Sequence, residues 1–262
     1  MTDPTQQPVD NAPAKVAAVT LGFWIAKVAA TTLGETGGDW VTMSLNLGYL
    51  VGTGIFAALF VALVYFQVRA SRFHPVLYWA TIVATTTLGT TMADFFDRSV
   101  GLQYPGGSAI IAALLAASLF VWYRVEGTVS IQSITTPRAE WFYWTTILFS
   151  QTLGTALGDW TADEDRGGLA LGYEHAALIF GGALVVMAML YFWTRLSRTL
   201  LFWAAFVLTR PLGATLGDFL DKPGSQGGLQ LSRLYASLAL LLLLVLCVAV
   251  VPQRAARAAD AA

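Results

Sequence analysis

Thr31-Thr32-Leu33-Gly34-Glu35-Thr36-Gly37-Gly38-Asp39-Trp40 decides the fold, because versions of it occur four times. The others are Thr86-Thr87-Leu88-Gly89-Thr90-Thr91-Met92-Ala93-Asp94-Phe95, Gln151-Thr152-Leu153-Gly154-Thr155-Ala156-Leu157-Gly158-Asp159-Trp160 and Arg210-Pro211-Leu212-Gly213-Ala214-Thr215-Leu216-Gly217-Asp218-Phe219. Each reads Leu-Gly, four residues, Asp, aromatic. Each closes one long apolar run and precedes another. A period of about 55 to 65 residues is too long for a solenoid repeat and right for two membrane-crossing helices with a turn. A second element follows each copy: Ser44-Leu45-Asn46-Leu47-Gly48, Gly101-Leu102-Gln103-Tyr104-Pro105, Gly168-Leu169-Ala170-Leu171-Gly172 and Gly228-Leu229-Gln230-Leu231-Ser232. The expected unit is therefore a two-helix hairpin: helix, Leu-Gly-Asp motif, loop, Gly-Leu-x-Leu entry, helix.

Working outward, eight apolar segments can be drawn: Val16–Gly38, Gly48–Val68, Val76–Asp94, Ala109–Tyr123, Trp141–Asp159, Leu171–Trp193, Leu200–Asp218 and Leu234–Val251. Most are long enough to cross the ~30 Å hydrocarbon layer as helices. Spanning strands would need a two-residue alternation, which is absent. The predicted fold class is all-α: a polytopic membrane protein of eight transmembrane helices in four parallel two-helix hairpin repeats, at about residues 15–70, 75–125, 140–196 and 198–251. Residues 1–14 read as a polar cytoplasmic tail without a signal peptide. Residues 252–262 read as a basic cytoplasmic tail.

Composition agrees. Of 262 residues, 56% are hydrophobic and 12% charged, against roughly 25% charged in soluble domains. Mean hydropathy is +0.62. A net charge of −1 gives no nucleic-acid surface. The single cysteine, Cys247, cannot form an intrachain disulfide and reads as apolar filler. Trp24, Trp40, Trp79, Trp141, Trp160, Trp193 and Trp203 lie near span ends, as in an interfacial belt.

Lys and Arg set the orientation. With the N-terminus inside, Lys15, Arg69, Arg72, Arg124, Arg138, Arg195, Arg198, Arg254 and Arg257 are cytoplasmic. Only Arg98, Arg166, Lys222 and Arg233 fall outside. All four motifs then sit at the outer ends of odd-numbered helices. The repeats are parallel, which gives no ready-made inside/outside exchange.

The motif has two faces. Four residues after each Gly stands another small residue: Gly34 and Gly38, Gly89 and Ala93, Gly154 and Gly158, Gly213 and Gly217. Small-xxx-small pairs let helices approach closely in lipid. On the Asp face, hydroxyls three and seven residues earlier lead towards Asp39, Asp94, Asp159 and Asp218. They are Thr32, Thr36, Thr87, Thr91, Thr152 and Thr215, joined in the first copy by Glu35. Oxygen-only ligands suit hard divalent cations. No Cys or His joins them, against zinc or copper. A carboxylate near the outer interface is cheap to solvate, yet a constant Gly-to-Asp interval is not what solvated helix ends require. Lys27 and Arg210 are intramembrane cations needing partners. Glu35, Glu174 and the Asp cluster are the candidates, and a structural pair fixing helix register is the alternative.

Phe23-Trp24-Ile25-Ala26-Lys27, the Thr31–Asp39 motif and Leu208-Thr209-Arg210-Pro211-Leu212-Gly213-Ala214-Thr215-Leu216-Gly217-Asp218 carry a resemblance to a bacterial family of integral "membrane-anchored" proteins, along residues 15–250. That resemblance implies a bacterial inner-membrane protein and no particular activity. Glu35-Thr36-Gly37-Gly38-Asp39-Trp40 more loosely resembles the Glu-x-Gly-Asp-Lys/Arg-Thr/Ser motif of manganese/calcium exchangers. Its spacing differs by one, its Asp precedes an aromatic residue, and only one copy has the Glu.

Two functions follow as expectations. One is a passive or ion-gradient-driven transporter or permease for a cation, a divalent metal favoured. Glu35 and the four Asp would be its ligands, and Lys27 and Arg210 would neutralise the empty site. The other is a membrane scaffold or partner subunit whose Gly/Asp motifs pack helices. Expected partners are the bilayer, a metal ion and further copies of the chain. No nucleophile, His-rich or nucleotide-binding motif suggests an enzyme.

Overall fold

The computed structural model describes residues 14–257, so the tail expected at 1–14 lies outside it but for its last residue. The described chain is all-α: α1 (Leu21–Asp39), α2 (Gly48–Arg69), α3 (Pro75–Asp94), α4 (Gln103–Glu126), α5 (Pro137–Ala162), α6 (Tyr173–Trp193), α7 (Arg198–Asp221) and α8 (Arg233–Val250). Each odd helix starts on a side-chain cap. Thr20, His74, Thr136 and Ser197 accept from the backbone N–H of Phe23, Leu77, Ala139 and Leu200. Pro75 and Pro137 fill first-turn positions where no N–H is needed. Beyond Asp39 and Asp94 the chain continues in π-helical turns, whereas α5 and α7 run on as α-helix.

The Gly-Leu-x-Leu element is a repeated left-handed turn. Its x residues, Asn46, Gln103, Ala170 and Gln230, have φ of 54°, 58°, 56° and 55°. Non-glycine residues adopt this region at a cost. Its presence in every repeat shows that one turn geometry carries each odd helix into the next even one.

The odd helices form the inside. α1 packs on α3, α3 on α5, α5 on α7 and α7 back on α1, closing a four-helix ring. The even helices lie outside it and expose mostly apolar side chains. The expected hairpins are not the packed pairs: α2 packs on α3, α4 on α5, α6 on α7 and α8 on α1. Each even helix therefore clasps the following repeat, and α8 closes the circle on the first. Five helices are long and apolar enough to cross a membrane: α2, α4, α6, α7 and α8. α1, α3 and α5 turn Thr and charged residues inward, away from the outer surface.

The ring is built in layers. Its buried residues step by four along each odd helix: Phe23, Lys27, Thr31, Glu35, Asp39; Tyr78, Ile82, Thr86, Thr90, Asp94; Tyr143, Ile147, Gln151, Thr155, Asp159; and Phe202, Phe206, Arg210, Ala214, Asp218. A stripe stepping by four winds around its helix, so the helices cross obliquely, as when four-residue ridges interlock. One end of the axis is aromatic, with the Tyr78 and Tyr143 hydroxyls 2.8 Å apart. The other end is acidic.

The described termini are tied together across the aromatic end. The first helix begins at Leu21, not at Val16; residues 14–18 instead run antiparallel to 254–256. Ala14 N–H donates to Ala256 O at 2.9 Å, Ala18 N–H to Arg254 O at 2.9 Å and Ala256 N–H to Val16 O at 2.9 Å. Lys15 locks this strap, donating to Val68 O at 3.0 Å and Ala70 O at 2.8 Å and pairing with Glu140 at 2.5 Å.

Candidate functional site

The glycines build the ring in which the site sits. A Cβ on Gly34 would strike the Thr86 side chain; one on Gly154, the Arg210 side chain; one on Gly213, Thr31. On Gly89 it would lie 2.9 Å from Gln151 backbone carbon. Each motif glycine thus receives the residue three before the next repeat's glycine, cyclically. One turn on, a Cβ would lie 3.1 Å from Thr90 at Gly38, 3.1 Å from the Ala214 Cβ at Gly158 and 2.6 Å from the Glu35 Cβ at Gly217. Ala93, the fourth member, is fully buried.

That close approach brings the four Asp together. Asp39, Asp94, Asp159 and Asp218 are at most 2% exposed, so they are not solvated helix ends. Two basic residues, each four after an Asp, cross-link them in pairs. Arg98 pairs with Asp94 and lies 3.5 Å from Asp159 and 3.6 Å from Asp163. Lys222 lies 2.5 Å from Asp39 and 3.0 Å from Asp218. Arg233 joins Asp221 at 3.1 Å and Asp39 at 3.9 Å. The corresponding positions after Asp39 and Asp159 hold Met43 and Asp163, so the bases come from alternate repeats. Asp163 also accepts from Tyr104 at 2.5 Å and Tyr173 at 2.6 Å.

Carboxylates outnumber bases here. Burial opposes the charge on Lys222, but Asp218, Asp39 and Asp221 overcome it and hold the ammonium well above its ordinary range. Beyond the end of α3, burial and then Asp94 push the Asp97 carboxyl up to about 7, against the pull of Arg98 and Arg166. A raised carboxyl value means the folded protein keeps a proton the unfolded chain releases. Asp97 therefore costs stability progressively as pH rises from about 4 to about 7, and no further above that. Asp97→Asn is expected to flatten this part of a melting-temperature profile against pH, with its largest gain over wild type at pH 8. A parallel profile for the two proteins would sink this assignment.

One layer inward, the Arg210 Nη2 donates to Glu35 at 2.7 Å, Thr90 at 2.5 Å and Thr155 at 2.5 Å, and Nη1 donates to Thr31 O at 3.4 Å. One guanidinium thus joins all four odd helices. Glu35, Asp159 and Asp218 each offer an oxygen, and these lie within 4.8 Å of one another; Asp39, Asp218 and Asp221 form a second such group.

Several sequence expectations change. The hydroxyls of Thr32, Thr36, Thr87, Thr91, Thr152 and Thr215 donate to carbonyls of their own helices. Thr36 also accepts from Ser237 of α8, so that face looks towards an outer helix. The axial hydroxyls in the layer next to the four Asp are Thr90 and Thr155, four residues before Asp instead of three. Arg210 does pair with Glu35. Lys27 pairs with no carboxylate among the described residues: its Nζ lies 4.1 Å over the Phe206 ring and 3.5 Å from Thr209 Oγ1. It pairs with none of the acids; Arg210, Arg98 and Lys222 do. Glu174 is exposed at the start of α6, outside the ion-pair network. The sequence reading missed Arg98, Lys222, Arg233, Asp163 and Asp221 as site residues. The four-residue offsets from Asp94 to Arg98 and from Asp218 to Lys222 were the available signal.

A family model described as "Repeat of Unknown Function (DUF347)" matches four segments, residues 22–73, 77–128, 142–197 and 201–252. Each segment covers most of one odd helix and all of the even helix after it. No curated protein and no solved structure gives a match.

Proposed function

The chain belongs to the DUF347 repeat family, which brings a repeat without an activity, and from the site itself we propose a membrane carrier for a cation, a divalent metal favoured. In this reading all eight helices span the bacterial inner membrane, with both termini cytoplasmic and the acidic end outward. The Lys/Arg asymmetry supports that orientation. The apolar even helices face lipid, and the odd helices cross inside them.

The observation that carries the reading is the meeting of Glu35, Asp159 and Asp218. Three repeats supply three buried carboxylates with oxygens within 4.8 Å of one another. Hard divalent cations take such oxygen sets and complete their shells with water. Arg210, Lys222 and Arg98 each hold one of these acids from a different side. They act as tethered counter-charges that the substrate cation displaces, so the empty site is not left with bare buried carboxylates. Beyond Arg210 the axis is filled by Ile82, Ile147 and Phe206 and then by the aromatic layer. Passage requires these layers to move, which favours a carrier over an open pore.

The test is calorimetric titration of detergent-purified protein with Mn²⁺, Ca²⁺ and Mg²⁺, followed by uptake into proteoliposomes. Wild type is expected to bind one of these saturably. Asp159→Asn/Asp218→Asn is expected to weaken binding by a factor of about ten or more, and Glu174→Gln to leave it unchanged. Absence of binding by wild type, or its survival in the double variant, rejects the carrier.

A second reading, the scaffold, is favoured by one observation: every motif Asp already has a basic partner across or along the ring. It requires the Asp→Asn variants to keep full function while substitutions at the ring glycines abolish it.

A further inference from the structure

The aromatic half of the ring is covered from outside in three repeats and open in one. The left-handed turn residue before each outer helix puts equivalent positions in register. Fourteen, eighteen and twenty-one residues after Asn46 stand Phe60, Val64 and Gln67, all buried. The same steps after Gln230 reach Leu244, Val248 and Val251, which are buried or half-buried. From α4 the fully buried Trp122 lies against Trp203 of α7, with ring centroids 5.8 Å apart. In α6 the equivalent residues are Leu184, Ala188 and Tyr191; the first is half-buried and the other two are exposed. Beyond Ala176, α6 buries no residue.

Between α6, α7 and α1 this leaves a cleft of about 490 Å³. It runs from Thr20, Gln132, Arg198 and Thr199 at one end to Val28 and Thr209 at the other. Thr199 to Thr209 covers about 15 Å of α7. The mean cross-section is therefore roughly 30 Å², against about 80–110 Å² for a helix with its side chains. A single hydrocarbon chain fits where a helix of a second copy does not. The Thr209 hydroxyl at the inner end already donates to the Phe206 carbonyl at 2.8 Å, so that end asks for no polar ligand. The lining holds one charged residue, Arg198, and no carboxylate. Arg198 pairs with no acid among the described residues. Its guanidinium lies 4.2 Å from the Tyr191 ring centroid and donates one N–H to the Tyr191 carbonyl. A guanidinium has further N–H donors, and these are open to an oxyanion.

We infer that this cleft binds an acyl chain of an anionic membrane phospholipid, with the lipid phosphate held by Arg198. The chain supplies to α6, α7 and α1 the packing that Phe60, Val64, Trp122 and Leu244 supply in the other repeats. Water is a poor filler, because the walls between the two ends are apolar and offer it too few partners. The polar end of the cleft lies where α6 stops at Trp193 and α7 begins at Arg198. This is the side on which Lys and Arg are concentrated, and basic residues there attract anionic headgroups. The inference rests on the membrane placement proposed above and not on the cation site.

The test is native mass spectrometry of the full chain in a mild non-ionic detergent, with equal amounts of dioleoylphosphatidylglycerol and dioleoylphosphatidylcholine added. Wild type is expected to retain one phospholipid per chain and to prefer the anionic one about fivefold, the effect of one arginine at an anionic surface. Arg198→Gln is expected to keep the lipid and lose the preference. Arg69→Gln is the matched control: it removes an arginine that lies over Tyr65 at the end of α2, where Phe60 and Val64 fill the seam. It is expected to keep both lipid and preference. Ala188→Phe is expected to lose most of the bound lipid, because its ring fills the cleft from an exposed position. Asp159→Asn/Asp218→Asn is expected to bind lipid as wild type does, so failure here and failure of the cation site read out separately. Wild type without bound lipid, or without a headgroup preference, overturns the proposal. So does a preference that survives Arg198→Gln, or full retention by Ala188→Phe. Retention that appears only after removal of residues 258–262 also overturns it and gives the cleft to the end of the chain.

Discussion

Arg210→Met is expected to lower the unfolding free energy of the detergent-solubilised protein by about 3–5 kcal/mol, and a second change, Glu35→Gln, to recover most of it. The guanidinium is fully buried and ties Glu35, Thr90, Thr155 and the Thr31 carbonyl, one group from each of the other three odd helices and a second from α1. Removing it leaves a buried carboxylate beside Asp159 and Asp218. The cost is that of the stranded charge, which is why neutralising Glu35 restores stability even though the ion pair is gone. Arg210→Lys is expected to be intermediate, because an ammonium keeps the charge opposite Glu35 but loses the separate Nη1 bond to the Thr31 carbonyl. Unfolding midpoints of the four proteins in the Arg210/Glu35 cycle provide the check. Equal destabilisation of the single and double variants would mean that Arg210 acts by filling space.

The second large effect is expected at the seam where the ring closes. Gly213→Leu should cost about 3 kcal/mol or more and leave little folded monomer. A Cβ at this position already overlaps the Thr31 side chain and lies 2.9 Å from its backbone carbon, so no rotamer change relieves it. Gly182→Leu in α6 is the matched control, since nothing lies within 4 Å of a Cβ there. It should change stability by no more than about 0.5 kcal/mol. Gly213→Ala should already separate from Gly182→Ala, which gains helix propensity without a clash. Size-exclusion profiles and thermal midpoints distinguish the pair. Equal behaviour of the two leucine variants would mean that α1 and α7 do not need close contact.

The chain by itself determined the fourfold repeat, the helical class and the close-packing glycines, because each of these is a matter of spacing within one stretch. Leu-Gly-x4-Asp is visible at Gly34, Gly89, Gly154 and Gly213 without any knowledge of neighbours. Lys27, Arg210 and Glu35 stood out as charges inside apolar runs, but which cation meets which acid stayed open among Glu35, Glu174 and the Asp residues until the structure paired Arg210 with Glu35. Tertiary structure alone decided which helix touches which. A repeat reads as a hairpin along the chain, but α2 packs on α3 and α8 on α1, because the outer helices fill the grooves between successive inner ones. It also decided the inner face. Faces three and four residues before Asp are both plausible on an isolated helix; the oblique crossing set by glycine contacts selects the second, placing Thr90 and Thr155 inside and turning Thr36 towards Ser237. Finally, Arg98 and Lys222 are four residues from one Asp in the chain, but reaching the next repeat's Asp depends on the ring being closed. Local spacing carries the repeat and its chemistry, whereas convergence depends on the angle at which separate helices meet.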